Sequence, residues 1–136
     1  YDFKNWIDQI KDTGFYVQLF FQGEPFINKH LPEMIKYAQQ NNVYISISTN
    51  GHFVNEKNVD QVLENAPDKL IYSVDGLDEE SYQKYRIGGT FKQADEGLRL
   101  LINRKKELKK SKPYVEFQFI VMKQNEHHIQ CLNNSY

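Results

Sequence analysis

Four short segments of this chain combine the residue types that bind small polar ligands. Glycine tolerates positive φ angles and lets a ligand approach the backbone closely. Hydroxyl, amide and carboxylate side chains form hydrogen bonds with polar groups. The chemistry indicated by such residues is recognition of a polar small molecule. The four segments are Gln22-Gly23-Glu24-Pro25, Ser48-Thr49-Asn50-Gly51, Ser73-Val74-Asp75-Gly76 and Lys123-Gln124-Asn125-Glu126.

Each of these segments is also an ordinary turn sequence when it is considered alone. Asn-Gly and Asp-Gly pairs are common turn signals because they tolerate left-handed backbone conformations. All four, however, follow apolar runs that are typical of strands. If those strands are parallel, their carboxyl ends meet at one edge of the sheet, and the segments converge on one polar cleft.

The elements that position these segments alternate regularly along the chain. Runs rich in β-branched and aromatic residues predict strands, and apolar residues spaced three and four apart predict helices. The order helix–strand, repeated four times, predicts an α/β fold with parallel strands and right-handed crossovers. The predicted strands are 16–21, 43–48, 69–74 and 114–122, and the predicted helices centre on 3–10, 31–38, 59–63 and 94–102.

The composition is that of one globular domain spanning residues 1–136, with 40% hydrophobic and 26% charged residues. The formal net charge of -1 gives no argument for a nucleic acid or membrane partner. The single cysteine, Cys131, excludes an internal disulfide and suits a reducing compartment, so we expect a cytoplasmic protein.

The four segments, taken in order, resemble the strand ends of radical S-adenosylmethionine (SAM) enzymes. Phe20 to Pro25 is similar to their Gly-Gly-Glu-Pro motif, with Gln22 in place of the first glycine, as in SPASM-type members. The resemblance covers nearly the whole chain. The other matching stretches are Ile47 to Gly51, Tyr72 to Gly76, Glu80 to Gly89, and Phe117 to Val121 with Asn125-Glu126.

The resemblance implies a partial (β/α)6 barrel and a set of cofactor-binding residues. In the family, the methionyl amino group of SAM lies near the Gly-Glu-Pro turn, and its carboxylate meets polar and basic side chains. The alternative for Arg86 is a structural ion pair with Asp75 or Glu80. The implied cofactor-binding residues are Gln22, Gly23, Glu24, Pro25, Thr49, Asn50, Ser73, Arg86 and Gln118.

The resemblance also implies a 4Fe-4S cluster, which these residues lack the means to bind. The family holds it with a Cys-x-x-x-Cys-x-x-Cys loop, whereas Cys131 is the only cysteine here. We therefore expect a fragment of a larger oxidoreductase, with SAM and the cluster as cofactors of the whole enzyme. The fragment itself is expected to be inactive and to bind neither cofactor tightly. The stretch from Cys131 to Tyr136 is expected not to complete a helix.

Two other features have ordinary explanations. His127 and His128 with Cys131 offer metal ligands, but a fourth ligand is lacking and adjacent histidines diverge on a helix, so no metal site is predicted. Asn125 is expected to cap a helix that begins at Glu126. The basic tract from Arg104 to Lys112 is typical of a solvated helix end.

The sequence leaves two functions open. The first is a piece of a radical SAM enzyme that modifies a peptide or makes a cofactor, with SAM and a peptide or small-molecule substrate as ligands of the whole enzyme. The second is a non-catalytic α/β ligand-binding or interaction module on a degenerate barrel. In either case, exposed sheet edges favour self-association.

Overall fold

The chain forms a single parallel sheet of four strands connected through helices. The computed structural model describes residues 2–135, and the side chains of residues 2–132. The predicted α/β class is confirmed. In chain order the main elements are α1 (Asp2–Ile10), β1 (Tyr16–Gln18), α2 (Leu31–Gln40), β2 (Tyr44–Thr49), α3 (Val59–Glu64), β3 (Lys69–Ser73), α4 (Glu79–Gln83), α5 (Phe91–Glu107), β4 (Tyr114–Gln118) and α6 (Ile129–Ser135).

The strand order in space is the same as the order in the chain, β1-β2-β3-β4. Ser46 pairs with Gln18 on one side and Lys69 on the other, and Lys69 pairs in turn with Tyr114. Successive right-handed crossovers in one direction place the connecting helices on one face of the sheet. The strand residues on the other face are more polar, and Ser46, Ile71 and Ser73 among them are buried.

The core lies between the helices and one face of the sheet. Alternate residues of each strand point to that face because the side-chain period of a strand is two. Ile45, Ile47, Leu70 and Tyr72 are fully buried there. The helices contribute their apolar stripes, which explains the three- and four-residue spacing in the sequence: Ile7, Leu31, Ile35, Ala38, Val59, Val62, Leu63, Ala94, Leu98 and Leu101.

Three strands are shorter than the sequence predicts, β3 by one residue and the two edge strands by three or more. The first ends at Gln18 rather than Phe21, and the fourth ends at Gln118 rather than Met122. Both edge strands pair with only one neighbour. In each of them, the apolar run in the sequence continues beyond the last paired residue. Phe20 and Phe21 instead enter the turn at Gly23, whose φ is +82°.

Two helical features also differ from the prediction, and a third agrees with it. Helix α4 was not predicted, because five residues are too few to show a periodic apolar face. The segment after Cys131 was expected not to complete a helix, but residues 131–135 belong to α6; Tyr136 lies outside the described residues. A 3-10 turn does begin at Glu126 after Asn125.

Within residues 2–135, no helix has the length and apolar character needed to cross a bilayer.

Candidate functional site

The Glu24 carboxylate joins the turn after β1 to the end of β2. One of its oxygens accepts hydrogen bonds from the Thr49 hydroxyl at 2.7 Å and from the Phe26 amide at 3.2 Å. The other accepts from the Asn50 amide at 2.9 Å. The carboxylate is therefore engaged within the protein, and a ligand at this turn is offered the backbone instead.

The turn after β2 is shaped by a close backbone approach at Gly51. Its φ is +82°, and a Cβ atom there would lie 2.0 Å from the Tyr72 hydroxyl. The Thr49 hydroxyl accepts a hydrogen bond from the Gly51 amide at 3.0 Å, and the Asn50 side chain accepts one from the His52 amide at 3.0 Å. Here Asn-Gly is a turn, and it also brings Thr49 and Asn50 beside Glu24.

Three polar side chains form a row across the ends of β2, β3 and β4. The Ser73 hydroxyl donates to the Gln118 carboxamide oxygen at 2.9 Å and lies 3.4 Å from the Ser48 hydroxyl. All three are on the face of the sheet opposite the core. The interpretation that Gln118 points inward agrees with this geometry, although its role toward a ligand stays a prediction.

Arg86 makes the ion pair that was the alternative to ligand binding. Its Nε and Nη2 atoms lie 2.8 and 2.6 Å from the same carboxylate oxygen of Asp75. The Asp75 side chain is fully buried, and that of Arg86 is 27% exposed. The ion pair with Asp75 is compatible with ligand binding, because Arg86 also lines the cavity described below.

Asn125 occupies the N-cap position that the sequence predicts, but its side chain has a different role. It precedes the 3-10 turn, but its side chain does not cap that turn. Instead it is fully buried, donates to the carbonyls of Asp75 and Ile120 at 2.9 Å, and accepts from the Met122 amide at 2.6 Å. The ends of β3 and β4 are tied together through this side chain.

A cavity of about 190 Å³ lies among these groups at the carboxyl edge of the sheet. Six of the nine predicted residues line it: Gly23, Glu24, Thr49, Asn50, Ser73 and Arg86. Gln118 does not line the cavity, but it accepts a hydrogen bond from Ser73, which does. Gln22 is exposed and Pro25 begins a 3-10 turn, and neither is a lining residue. The sequence reasoning did not assign Phe20, Phe21 and Ser48, which complete the lining.

A larger cavity of about 500 Å³ lies at the opposite edge of the sheet. Its polar walls include Asp68 and Lys112, which are paired with each other. Asp68 also accepts a hydrogen bond from the Ile45 amide at 2.9 Å. These groups already hold the amino ends of two strands, so size alone does not make this cavity the better candidate.

The two histidines differ from the prediction in geometry. They do not diverge, since their ring centroids are 4.0 Å apart, and their neighbour is Asp78 rather than Cys131. His128 accepts a hydrogen bond from the Leu77 amide at 3.3 Å and contacts Asp78 at 3.1 Å through its other nitrogen. These contacts explain the cluster as a structural clamp, and the prediction of no metal site stays a prediction.

The family model described as the radical SAM superfamily matches residues 2–130. The chain therefore belongs to the radical SAM superfamily. It is 33% identical over 127 residues to Fe-coproporphyrin III synthase of Methanosarcina barkeri, covering 93% of this chain and 30% of the relative. It is 30% identical over 83 residues to PqqA peptide cyclase of Granulibacter bethesdensis, covering 61% of this chain and 22% of that relative.

The fold is also found among solved structures. SuiB of Streptococcus suis bound to S-adenosylmethionine superposes with a TM-score of 0.76 at 17% sequence identity, covering 98% of this chain and 30% of SuiB. At that identity the likeness shows the fold alone. The chain spans about 30% of the length of the first relatives that it matches.

The residues present fit one of the family's two cofactors. At Gly23 an added Cβ would meet no atom within 4 Å, so a ligand has room beside the backbone. The cavity of about 190 Å³ is smaller than the roughly 300–1,000 Å³ of drug-sized sites, which suits only the amino-acid end of SAM. A cluster needs three thiolates, and the one cysteine of the chain does not fit it.

Proposed function

We propose that this chain is the SAM-binding part of a longer radical SAM enzyme. The observation that carries the proposal is the cavity at the carboxyl edge, where six residues implied by the resemblance come together, five from three successive strand ends and Arg86 from the loop after α4. We further assign the enzyme to the SPASM-type group, because Gln22 replaces the first glycine of the motif.

Each part of the cavity suits one end of the methionyl group. Backbone oxygens at Gly23 and Glu24 accept from its ammonium group, since the Glu24 carboxylate is occupied by Thr49 and Asn50. Arg86 donates to its carboxylate, and Ser73 joins it when its one hydroxyl proton turns from Gln118 to the ligand. Asp75 fixes the orientation of Arg86, whose side chain remains 27% exposed and lines the cavity.

The cluster-binding cysteines of this enzyme lie outside the 136 residues. When bound, SAM and a 4Fe-4S cluster supply a 5′-deoxyadenosyl radical in this family. With a single cysteine, this chain alone does not hold the cluster, so we propose that it is inactive in isolation and binds SAM weakly.

The test is anaerobic reconstitution of a protein extended upstream of Tyr1, with iron, sulfide and a reductant. We expect a brown protein that converts SAM to 5′-deoxyadenosine. We also expect Ser73→Ala to weaken SAM binding by about tenfold, the scale of one charge-assisted hydrogen bond. Ser111→Ala, at an exposed position away from the cavity, is the matched control. An upstream sequence without clustered cysteines contradicts the proposal.

The single cysteine favours a second candidate, a non-catalytic module that keeps the barrel wall. This candidate predicts that the extended protein binds neither cluster nor SAM. Both candidates leave β1 and β4 as exposed edges, from which we propose self-association of the isolated chain. A monomeric mass by light scattering across the micromolar range would contradict that association.

A further inference from the structure

The end of α5 and the loop that follows it concentrate positive charge. Residues 104–112 include six of the 17 basic residues of the chain and one acidic residue, Glu107. The formal net charge of the whole chain is -1, so the remaining residues are net negative. The molecule is therefore electrically asymmetric. We call the centre of the positive region the basic patch, and it consists of Lys105, Lys106, Lys109 and Lys110.

The first and last basic residues of this stretch are already paired inside the protein. Arg104 Nη2 lies 2.7 Å from an Asp60 carboxylate oxygen, and the same guanidinium pairs with Glu107. Lys112 is paired with Asp68. The four lysines of the basic patch have no carboxylate partner among the described residues. Their charges are thus available to a partner.

The first half of α5 is built differently from the basic patch. Lys92 lies 3.8 Å from Glu96, and Arg99 lies 2.8 Å from Asp95, so each of these cations has an acidic residue four positions away. In the basic patch, the residues four positions apart are both lysines. Like charges close together repel each other instead of supporting the helix. The stability of α5 does not explain this arrangement.

The helix end accounts for only part of the basic patch. Cations in the last turn complement the negative pole of the helix dipole, which explains Lys105 and Lys106. Lys109 lies beyond the helix in a left-handed conformation, with φ of +51°. Glycine or asparagine is the usual residue there, and Asn42 takes the equivalent place after α2, with φ of +59°. A lysine at this position keeps a positive charge in a less favourable backbone conformation.

The basic patch borders the cavity of about 500 Å³ at the amino edge of the sheet. Lys110 lines this cavity, as do Asn42 and Tyr44. The Asn42 side chain is exposed and has no hydrogen-bond partner among the described residues. Two carboxylates, Glu64 and Asp68, also line the cavity and oppose an anion within it. An acidic group therefore suits the lysines outside, and an uncharged polar side chain suits the cavity.

The extent of the basic patch favours an acidic polypeptide over a nucleic acid. Proteins that bind DNA through its backbone neutralise roughly six to ten phosphates along a continuous track. Here four free lysines lie on a molecule whose remaining residues are net negative, which repels a long polyanion. Leu108 lies among the lysines in the sequence and is 40% exposed, so the surface also offers an apolar contact. A short acidic segment of a protein matches this combination.

We propose that the basic patch is a docking surface for an acidic segment of a partner protein. The acidic residues of the partner lie over the four lysines, and one of its uncharged polar side chains enters the adjoining cavity. This surface is at the edge of the sheet opposite the candidate cofactor cavity. The proposal therefore does not depend on SAM binding, and it applies to the chain under either of the two candidate functions.

The test is an NMR titration of the isotopically labelled 136-residue chain at low salt. The probe is a capped ten-residue peptide of glutamates around a central tyrosine, and its counterpart has glutamines in place of the glutamates. We expect the acidic peptide alone to shift the amide signals of Asn42, Lys106, Lys109 and Lys110, and added salt to weaken the shifts. Equal shifts with both peptides, or none with the acidic one, would overturn the proposal.

Two other polyanions test the class of partner. They are a ten-nucleotide single strand of deoxythymidine and vesicles of phosphatidylcholine with phosphatidylserine. We expect each to shift the same amide signals less than the acidic peptide does at an equal concentration of negative charge. Stronger shifts with the oligonucleotide or the vesicles would overturn the assignment of an acidic protein as partner.

Charge variants test where the peptide binds. Lys106→Gln combined with Lys110→Gln removes two charges from exposed positions, so we expect affinity for the acidic peptide to fall about tenfold, the scale of two exposed ion pairs. The two arginine substitutions at these positions should retain the affinity. Lys92→Gln is the matched control, because Lys92 is exposed on the same helix but paired with Glu96, and it should leave the affinity unchanged.

The urea midpoint of each variant checks that the fold is kept. Wild-type affinity in the double glutamine variant would contradict the location of the docking surface. An equal loss in the Lys92 variant would show that only the total charge of the chain matters, and would overturn the proposal as well.

Discussion

Arg86 reaches Asp75 with two nitrogen atoms that share one carboxylate oxygen. The second oxygen of Asp75 accepts a hydrogen bond from the Ile120 amide at 2.8 Å. One buried carboxylate thus connects the loop after α4 with the ends of β3 and β4. The same ion pair sets the position of the guanidinium group beside the cavity.

We expect Asp75→Asn to destabilise the protein by about 3 kcal/mol, because removing one partner of a buried ion pair leaves the other uncompensated. Urea unfolding followed by circular dichroism measures the loss. Asp60→Asn is the matched control: Asp60 receives two hydrogen bonds from Arg104, at 2.9 and 2.7 Å, but at an exposed position. Equal losses for the two variants would show that burial of the pair does not matter.

Glu24→Gln tests the junction between the turn after β1 and the end of β2. The neutral side chain keeps one acceptor oxygen where the carboxylate has two, so the bonds to Thr49 and Asn50 cannot both be kept unchanged. We expect a loss of about 1–3 kcal/mol, the cost of leaving a partly buried polar group unsatisfied. A large NMR shift of the Asn50 amide should accompany it.

The control for this variant is Glu56→Gln, which removes the same charge from an exposed turn. It should change neither the urea midpoint nor the Asn50 amide signal. A Glu24 variant with wild-type stability and an unshifted Asn50 amide would argue against the junction.

Gly97→Ala tests how closely α5 packs on the turn after β2. An added Cβ would lie 2.5 Å from the Gly51 carbonyl oxygen and 2.7 Å from the Tyr72 hydroxyl. Alanine gains about 1 kcal/mol in helix propensity, but overpacking against backbone costs roughly 1–3 kcal/mol. Since the backbone cannot rotate away as a side chain does, we expect a net loss of about 1 kcal/mol.

Asn103→Ala, at an exposed position of the same helix, provides the comparison. It carries the propensity gain without the contact, so we expect stabilisation of about 0.5 kcal/mol. Thermal unfolding of both variants measures the difference. If Gly97→Ala stabilised the protein as Asn103→Ala should, the close approach of α5 to Gly51 would be wrong.

Sequence reasoning predicted the grouping of the site because that grouping follows from topology. Parallel strands bring their carboxyl ends to one edge, so Glu24, Asn50 and Ser73 had to be neighbours once the alternation was recognised. The apolar spacing likewise located the long helices. These features depend on local patterns that a single sequence carries.

The partners across loops were not predictable in the same way. Asn125 precedes a 3-10 turn and has the residue type of a cap, but its bonds go to Ile120 and to Asp75, 50 positions away. The resemblance did not distinguish the two roles of Arg86 either. Such contacts depend on how separate loops are held in three dimensions, which residue type and spacing do not encode.

Acid titration tests the contact between α4 and the start of α5. The Glu79 carboxylate accepts hydrogen bonds from the amides of Lys92 and Phe91 at 2.8 and 2.9 Å. These bonds lower the pKa of Glu79 below its ordinary value. A group with a lowered folded-state pKa adds stability above its unfolded pKa of about 4.3, and that stability is lost as the pH falls through the folded value.

Glu79→Gln should therefore be less stable than wild type at pH 7, and the gap between them should close as the pH falls from about 5 toward 3. Urea midpoints at pH 7, 5, 4 and 3 follow the convergence. Glu96→Gln, on the exposed side of α5, removes an equal charge from the neighbouring helix and should lower the pH 7 midpoint less. A gap for Glu79→Gln that stayed constant or widened on acidification would contradict the contact, because only the ionised carboxylate offers an acceptor oxygen to each of the two amides.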